Sequence, residues 1–139
     1  LEFSANYAQN RHAFGRPIGK FQVVQQNLAR LASETAAAAA AAGSAADTIQ
    51  NADKFDEAVI LEVAAAKIRT GEAATEGSAI AHQVHGAMGF TAEHVLQRFS
   101  KRLFAWRDDF GTETEWAVRL GEIVAANGAD KLWSMIASR

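Results

Sequence analysis

YAQNRHAFGRPIGKFQVVQQ, residues 7–26, holds the end of one helix, a break and the start of another. Pro17 is the single proline, and it biases Arg16 away from helical backbone. Working outward, a first helix is expected over residues 2–13 and a second from Ile18 or Gly19. Phe21, Val24, Leu28, Leu31, Thr35 and Ala38 recur at spacings of three and four, which gives one buried stripe. The alanine run 36–42 has strong helix propensity and admits a close neighbour; the other reading is a low-complexity linker. Residues 43–53 weaken the pattern, and Asp53 is expected to cap helix three, with Asp56 in its first turn. Phe55, Val59, Val63, Ala66, Thr70, Ala73, Gly77, Ile80 and Val84 extend one stripe as far as Gly86 and Gly89, which stop it. Thr91 is expected to cap a shorter helix burying Val95, Phe99, Leu103 and Trp106. Thr112 and Glu115 form a T-x-x-E capping box before a last helix burying Trp116, Leu120, Ile123 and, beyond Gly128, Leu132 and Ile136. No strand is expected. The fold class is all-α, an up-and-down four-helix bundle.

Composition narrows the function. A chain of 139 residues makes one domain with a core. Net charge is −2 with both signs interleaved, which leaves no footprint for nucleic acid. The absence of cysteine excludes disulfides and thiolate metal sites. It fits a reducing compartment such as the bacterial cytoplasm, or the mitochondrial matrix. No apolar run is long enough for a membrane span, and no signal peptide is visible. The chain starts at Leu1 with a helical pattern already running, as an excised part of a larger protein would.

Three segments contain chemistry. In the first, Tyr7, Ala8, Arg11, Phe14, Gly15, Pro17, Ile18, Phe21, Gln22 and Gln25 each have a plain reading as core, turn or solvated charge. Jointly their spacing resembles the flavin-contacting segment of the acyl-CoA dehydrogenase family. The resemblance implies that Arg11 and Phe14, and with them Gln22 and Gln25, touch the flavin adenine dinucleotide (FAD) of a neighbouring subunit. The forked donors of an arginine suit a pyrophosphate. In the second, QVHGAMGF (residues 83–90), the plain reading is a helix stop. The segment also resembles the family's Q-x-x-G-G-x-G-[FY] turn, with Ala87 in place of a second glycine. That likeness implies that Gln83 and Gly86 face the adenosine of the cofactor. His82 and His85, three apart, lack a third ligand at suitable spacing, so no metal is expected.

The third segment, residues 103–115, concerns the base. Most of the family places a glutamate immediately before Gly-Thr, where this chain has Phe110 before Gly111 and Thr112. Counting from Gln97, Arg98, Lys101 and Arg102, which resemble the preceding helix, the base falls on Asp108. Asp108 and Asp109 are the candidates, with Glu113 behind them. The reaction needs a carboxylate to take a proton α to a thioester carbonyl while hydride leaves the β carbon. An aspartate loses about an ångström of reach, a misplacement that costs on the order of a hundredfold in rate unless the backbone compensates. The plain reading is that both aspartates favour a helix N-terminus. Thr112, at that N-terminus, is a natural cofactor contact as well as a cap. Arg98, Lys101, Arg102 and Arg107 read as a solvated face, or as a hold on the nucleotide end of coenzyme A.

The resemblance covers residues 7–120. It implies a C-terminal helical domain whose preceding helical and β domains are absent here. It also implies an acyl-CoA substrate oxidised to trans-2-enoyl-CoA, electrons passed to an electron-transfer acceptor, and a homodimer or tetramer with flavin across the interface. Two other functions compete: a non-catalytic partner in a heteromer with a sister subunit, and a helical interaction module without chemistry.

Overall fold

A computed structural model describes residues 1–137. Six α-helices are present: α1 Glu2–Asn10, α2 Gln22–Asn51, α3 Glu57–His85, α4 Leu96–Asp108, α5 Glu113–Asn127 and α6 Leu132–Ala137. Short 3-10 turns cover Ile18–Lys20, Gly86–Phe90 and Ala129–Lys131. Contrary to expectation there are two strands, β1 His12–Ala13 and β2 Arg16–Pro17, paired antiparallel with Ala13 opposite Arg16. The helix break is therefore a hairpin, and α1 stops three residues earlier than its apolar pattern does.

The four-helix bundle is α1 to α4, in up-and-down course. Its core joins Ala8 of α1, Leu31 of α2, Ile80, Ala81 and Val84 of α3, and Leu96 of α4, with Tyr7, Ile18, Val24 and Leu28 packed around them. Ion pairs run antiparallel between α2 and α3: Arg69 binds Glu34, and Arg30 binds Glu76 at 3.1 Å. The Arg30–Glu76 pair is exposed and contributes about 0–1 kcal/mol; the Arg69–Glu34 pair is half-buried. Small residues bring the axes together; a Cβ on Gly77 would lie 3.3 Å from Leu31 Cδ1.

The fifth helix is an addition along the N-terminal half of α3. Its first turn places Glu113 against Gly71, and its end binds α3 through Asn127 Nδ2 donating to Glu57 Oε2 (3.0 Å). No residue of α5 is buried, so Trp116, Leu120 and Ile123 only line a shallow contact. Leu132 and Ile136 are exposed.

Other expectations shift for local reasons. The cap of α3 is Asp56, whose carboxylate accepts from the backbone of Ala58 and Val59, because Asp53 lies four residues before the helix. α2 passes through Gly43 without ending, since nothing crowds or bends it there. Thr91 closes the 3-10 turn by donating to Met88 O (2.9 Å) and does not cap α4. In α4 it is Leu96 and Ser100 that are buried; Val95, Phe99, Leu103 and Trp106 remain exposed, Phe99 against Phe3 (5.3 Å) and Leu103 lining a cleft with Leu1 and Leu31. The accessible surface is 9070 Å², against about 7,000 Å² for a compact monomer of this mass. The excess is apolar surface left open along α2, α4 and α6. No helix among the described residues is long and apolar enough to cross a membrane.

Candidate cofactor and catalytic segments

The hairpin tip is built for display. Phe14 (φ 52°) and Gly15 (φ 79°) are both left-handed, as the central residues of a type I′ turn must be. A phenylalanine there is strained by about 1–3 kcal/mol, and its ring is 95% exposed. The turn is braced from below by Phe21, which meets Phe14 edge-on (6.2 Å) and takes the Arg16 guanidinium on its face (4.3 Å). Arg11 ends α1 in extended backbone, exposed, and enters none of the ion pairs among the described residues. Gln22 is exposed at the first turn of α2, which has no side-chain cap. Gln25 is already employed, its amide donating to Gly19 O (3.0 Å).

α1 docks on α3 through Tyr7 stacked on His85 (4.4 Å), so the hairpin and the glycine turn share one end of the bundle. Gly86 (φ 60°, ψ −147°) adopts a conformation open essentially to glycine alone. Gly89 is buried; a Cβ there would lie 3.0 Å from His85 Cβ and 3.1 Å from Leu96 Cδ2. Ala87 is exposed with ordinary φ, so its methyl group does not disturb the turn. Gln83 and Gly86 line a cleft of about 900 Å³ between α3 and α4, with Ser78, His82, Phe90 and Lys101. Two polar atoms there have no partner, Ser78 Oγ and His82 Nδ1.

The α4–α5 junction is held by polar contacts. Lys67 of α3 donates to the carbonyls of Arg107 (2.8 Å) and Asp109 (2.6 Å), closing the C-terminus of α4 with a positive charge. Trp116 Nε1 donates to Phe110 O (3.0 Å). Between these holds Phe110 (φ 61°) and Gly111 (φ 100°) are left-handed, and the Phe110 ring is 95% exposed. The capping box is present: Glu115 Oε2 accepts from Thr112 N (2.6 Å) and Thr112 Oγ1 accepts from Glu115 N (3.3 Å). The backbone and hydroxyl of Thr112 hold the Glu115 carboxyl below its ordinary 4.5. That commits the Thr112 hydroxyl within the chain. Asp108 is paired with Arg107 (3.0 Å), and Asp109 is exposed. Arg107 also donates to Thr75 Oγ1 (3.1 Å), which takes it out of any open basic face.

One protomer does not bring the two sets of expected residues together. Gln83 lies sixteen residues along α3 from Lys67, about 24 Å at the helical rise. Arg11, Phe14, Gln22, Gln83 and Gly86 cluster at one end of the bundle, and Asp108, Asp109 and Thr112 lie toward the middle of α3. His82 and His85 point to different helix partners, Ser100 and Ala81. Among the described residues no group of three or more His, Asp or Glu is placed to hold a metal. Sequence reasoning missed Lys67 and His94, whose roles depend on contacts between distant elements that leave no periodic signal.

A family profile described as "Acyl-CoA dehydrogenase, C-terminal domain" matches residues 1–108. The human mitochondrial short-chain specific acyl-CoA dehydrogenase is 40% identical over 98 residues, which cover 70% of this chain and 23% of that protein. The ChsE4-ChsE5 complex from Mycobacterium tuberculosis contains a chain superposing with a TM-score of 0.79 at 26% identity, over 92% of this chain and 34% of that one. The prolyl acyl carrier protein oxidase AnaB superposes with a TM-score of 0.77 at 28% identity, over 88% of this chain and 31% of that one. The chain thus spans about a quarter to a third of these relatives. With its hairpin, its glycine turn and its helix order all accounted for by this match, the chain belongs to the acyl-CoA dehydrogenase family and has the fold of its C-terminal helical domain.

Proposed function

We propose that this chain is the flavin-binding and dimerisation domain of an FAD-dependent acyl-CoA dehydrogenase, one part of a larger protein that converts an acyl-CoA thioester to its trans-2-enoyl-CoA. The observation carrying this is the convergence of Arg11 and the glycine turn, 75 residues apart, at one end of the bundle. Arg11 enters no ion pair among the described residues, the start of α2 has no side-chain cap, and the cleft beside Gln83 holds unpartnered polar atoms. These features fit the pyrophosphate and adenosine of FAD. Arg11, Phe14 and Gln22 would hold the phosphate side and Gln83 and Gly86 the adenosine, while Gln25 braces the turn. Bound flavin would supply the acceptor for the β hydride.

Asp108 and Asp109 are the proposed bases for the α proton. The Arg107 pair must open before Asp108 reaches a substrate. The separation of the two residue sets along α3 supports a site completed by a second copy, with the cofactor lying across the interface. Anaerobic titration of the full-length parent with a panel of acyl-CoA thioesters tests the reading. Bleaching of the flavin absorbance supports it, and flavin that no thioester bleaches counts against it. Arg11→Ala should release flavin while helical content and dimer persist.

A second reading rests on Phe110. Its ring is displayed in left-handed backbone at the position just before Gly111 and Thr112. A neighbouring fold is that of a two-protein complex. On this reading the chain holds flavin and a sister subunit supplies the base. The homomer would then be inactive and gain activity on mixing with that sister chain.

A further inference from the structure

Three imidazoles and a phenol close the glycine-turn end of the bundle. Tyr7 stacks on His85, and His94 meets both rings edge-on, His85 at 4.9 Å and Tyr7 at 6.3 Å. His82 lies one turn back on α3, stacked on Phe90 (4.4 Å). The hydrogen bonds assign the protons. His85 is 3% exposed; its Nδ1–H donates to Ala81 O (2.8 Å), which leaves Nε2 as a lone pair with no partner. His82 Nε2 and Ser100 Oγ share a hydrogen bond (2.8 Å), and His82 Nδ1 is left unpartnered. His94 Nδ1 accepts from Leu96 N (3.2 Å) at the start of α4, which requires that nitrogen to be unprotonated. His94 is therefore neutral in this arrangement, and the unpartnered nitrogens of His82 and His85 have no acceptor for a second proton.

We infer that this cluster is an acid-sensitive latch, and that protonating it releases the glycine turn and the first turn of α4 from α3. A proton on His82 Nδ1 would point at the Gly89 backbone, where even a Cβ would sit 3.2 Å away and no acceptor is offered. A proton on His94 Nδ1 turns the acceptor of Leu96 N–H into a second donor. A proton on His85 puts a charge in an apolar site against two further imidazoles.

The groups facing the cluster are Tyr7 from α1, His82 and His85 on α3, and His94 on the loop before α4. The turn Gly86–Phe90 contributes no titratable side chain, and α4 contributes the Ser100 hydroxyl and, in the cleft beside His82, the Lys101 ammonium. No carboxylate acts on His82 or His85 among the described residues. Burial first, and His94 beside it, hold both below their ordinary 6.5, so the folded form resists protons that the unfolded chain accepts. The latch is then fully closed above about pH 6.5 and loosens as pH falls below that value.

The test is a pH series from 7.5 to 5.0 on the full-length parent, reading amide-exchange protection corrected for intrinsic rates. The expected result is that protection over residues 86–96 falls at least tenfold while that of residues 59–66 holds. His94→Asn, whose side-chain oxygen accepts from Leu96 N–H at any pH, should blunt the fall near α4. Protection over residues 86–96 that stays constant within twofold across the series, or that falls no further than protection over residues 59–66, would overturn the latch. Either result is read on the unaltered chain, even if the variant fails to fold.

Discussion

The two halves of α3 are held by different physics. Around Ile80, Ala81 and Val84 four helices exclude water, and even a histidine is buried. Around Lys67 and Gly71, α4 ends and α5 begins with no buried residue on α5, and the contacts are ammonium to carbonyl, indole to carbonyl and a capping box. The first region is stabilised by area removed from water and tolerates little loss of volume. The second is fixed by a few directional bonds, each of which sets a backbone angle. It is the second that displays Phe110 and carries the candidate carboxylates, while the first provides the rigid end that displays Phe14.

Removing volume from the first half should have the largest effect. Ile80→Ala is expected to cost about 2–5 kcal/mol in denaturant unfolding, with the whole bundle losing cooperativity; a cost below 1 kcal/mol would mean that this end is not a packed core. Lys67→Met should cost less, about 1–3 kcal/mol, because carbonyls ending α4 lose their donor. Its signature should be local: faster amide exchange over residues 107–116 and a change in Trp116 fluorescence, with residues 78–85 undisturbed. Equal loosening of both halves would erase the distinction drawn here. Thr112→Ala should cost about 1 kcal/mol and fray only the first turn of α5. Arg30→Ala, which breaks an exposed pair between α2 and α3, should change the unfolding midpoint by an amount equivalent to less than about 1 kcal/mol. Acidification sharpens the contrast from the other side. The histidines are confined to the first half, so lowering the pH through 6.5 should weaken that end before the Lys67 junction.

The periodic and local features were legible in the residues alone. The stripe through Val59, Ala66, Gly77, Ile80 and Val84, the stop at Gly86 and the box at Thr112 and Glu115 depend on spacing within one element, and spacing is visible in a sequence. The resemblance through Arg11, Phe14 and the glycine turn was legible for the same reason, since both motifs are continuous. Tertiary structure decided which face of α4 is buried, because Phe99, Leu103 and Trp106 make as good an apolar stripe as Leu96 and Ser100 until a neighbour selects one side. It decided that the break after α1 is a hairpin, since two-residue strands are too short to leave an alternating pattern. It placed Asp108 and Asp109 about 24 Å along α3 from Gln83, a separation that depends on α4 folding back antiparallel on α3. Lys67 and His94 carried no sequence signal, because each acts through a contact between elements forty or more residues apart, or across a turn whose course only packing determines.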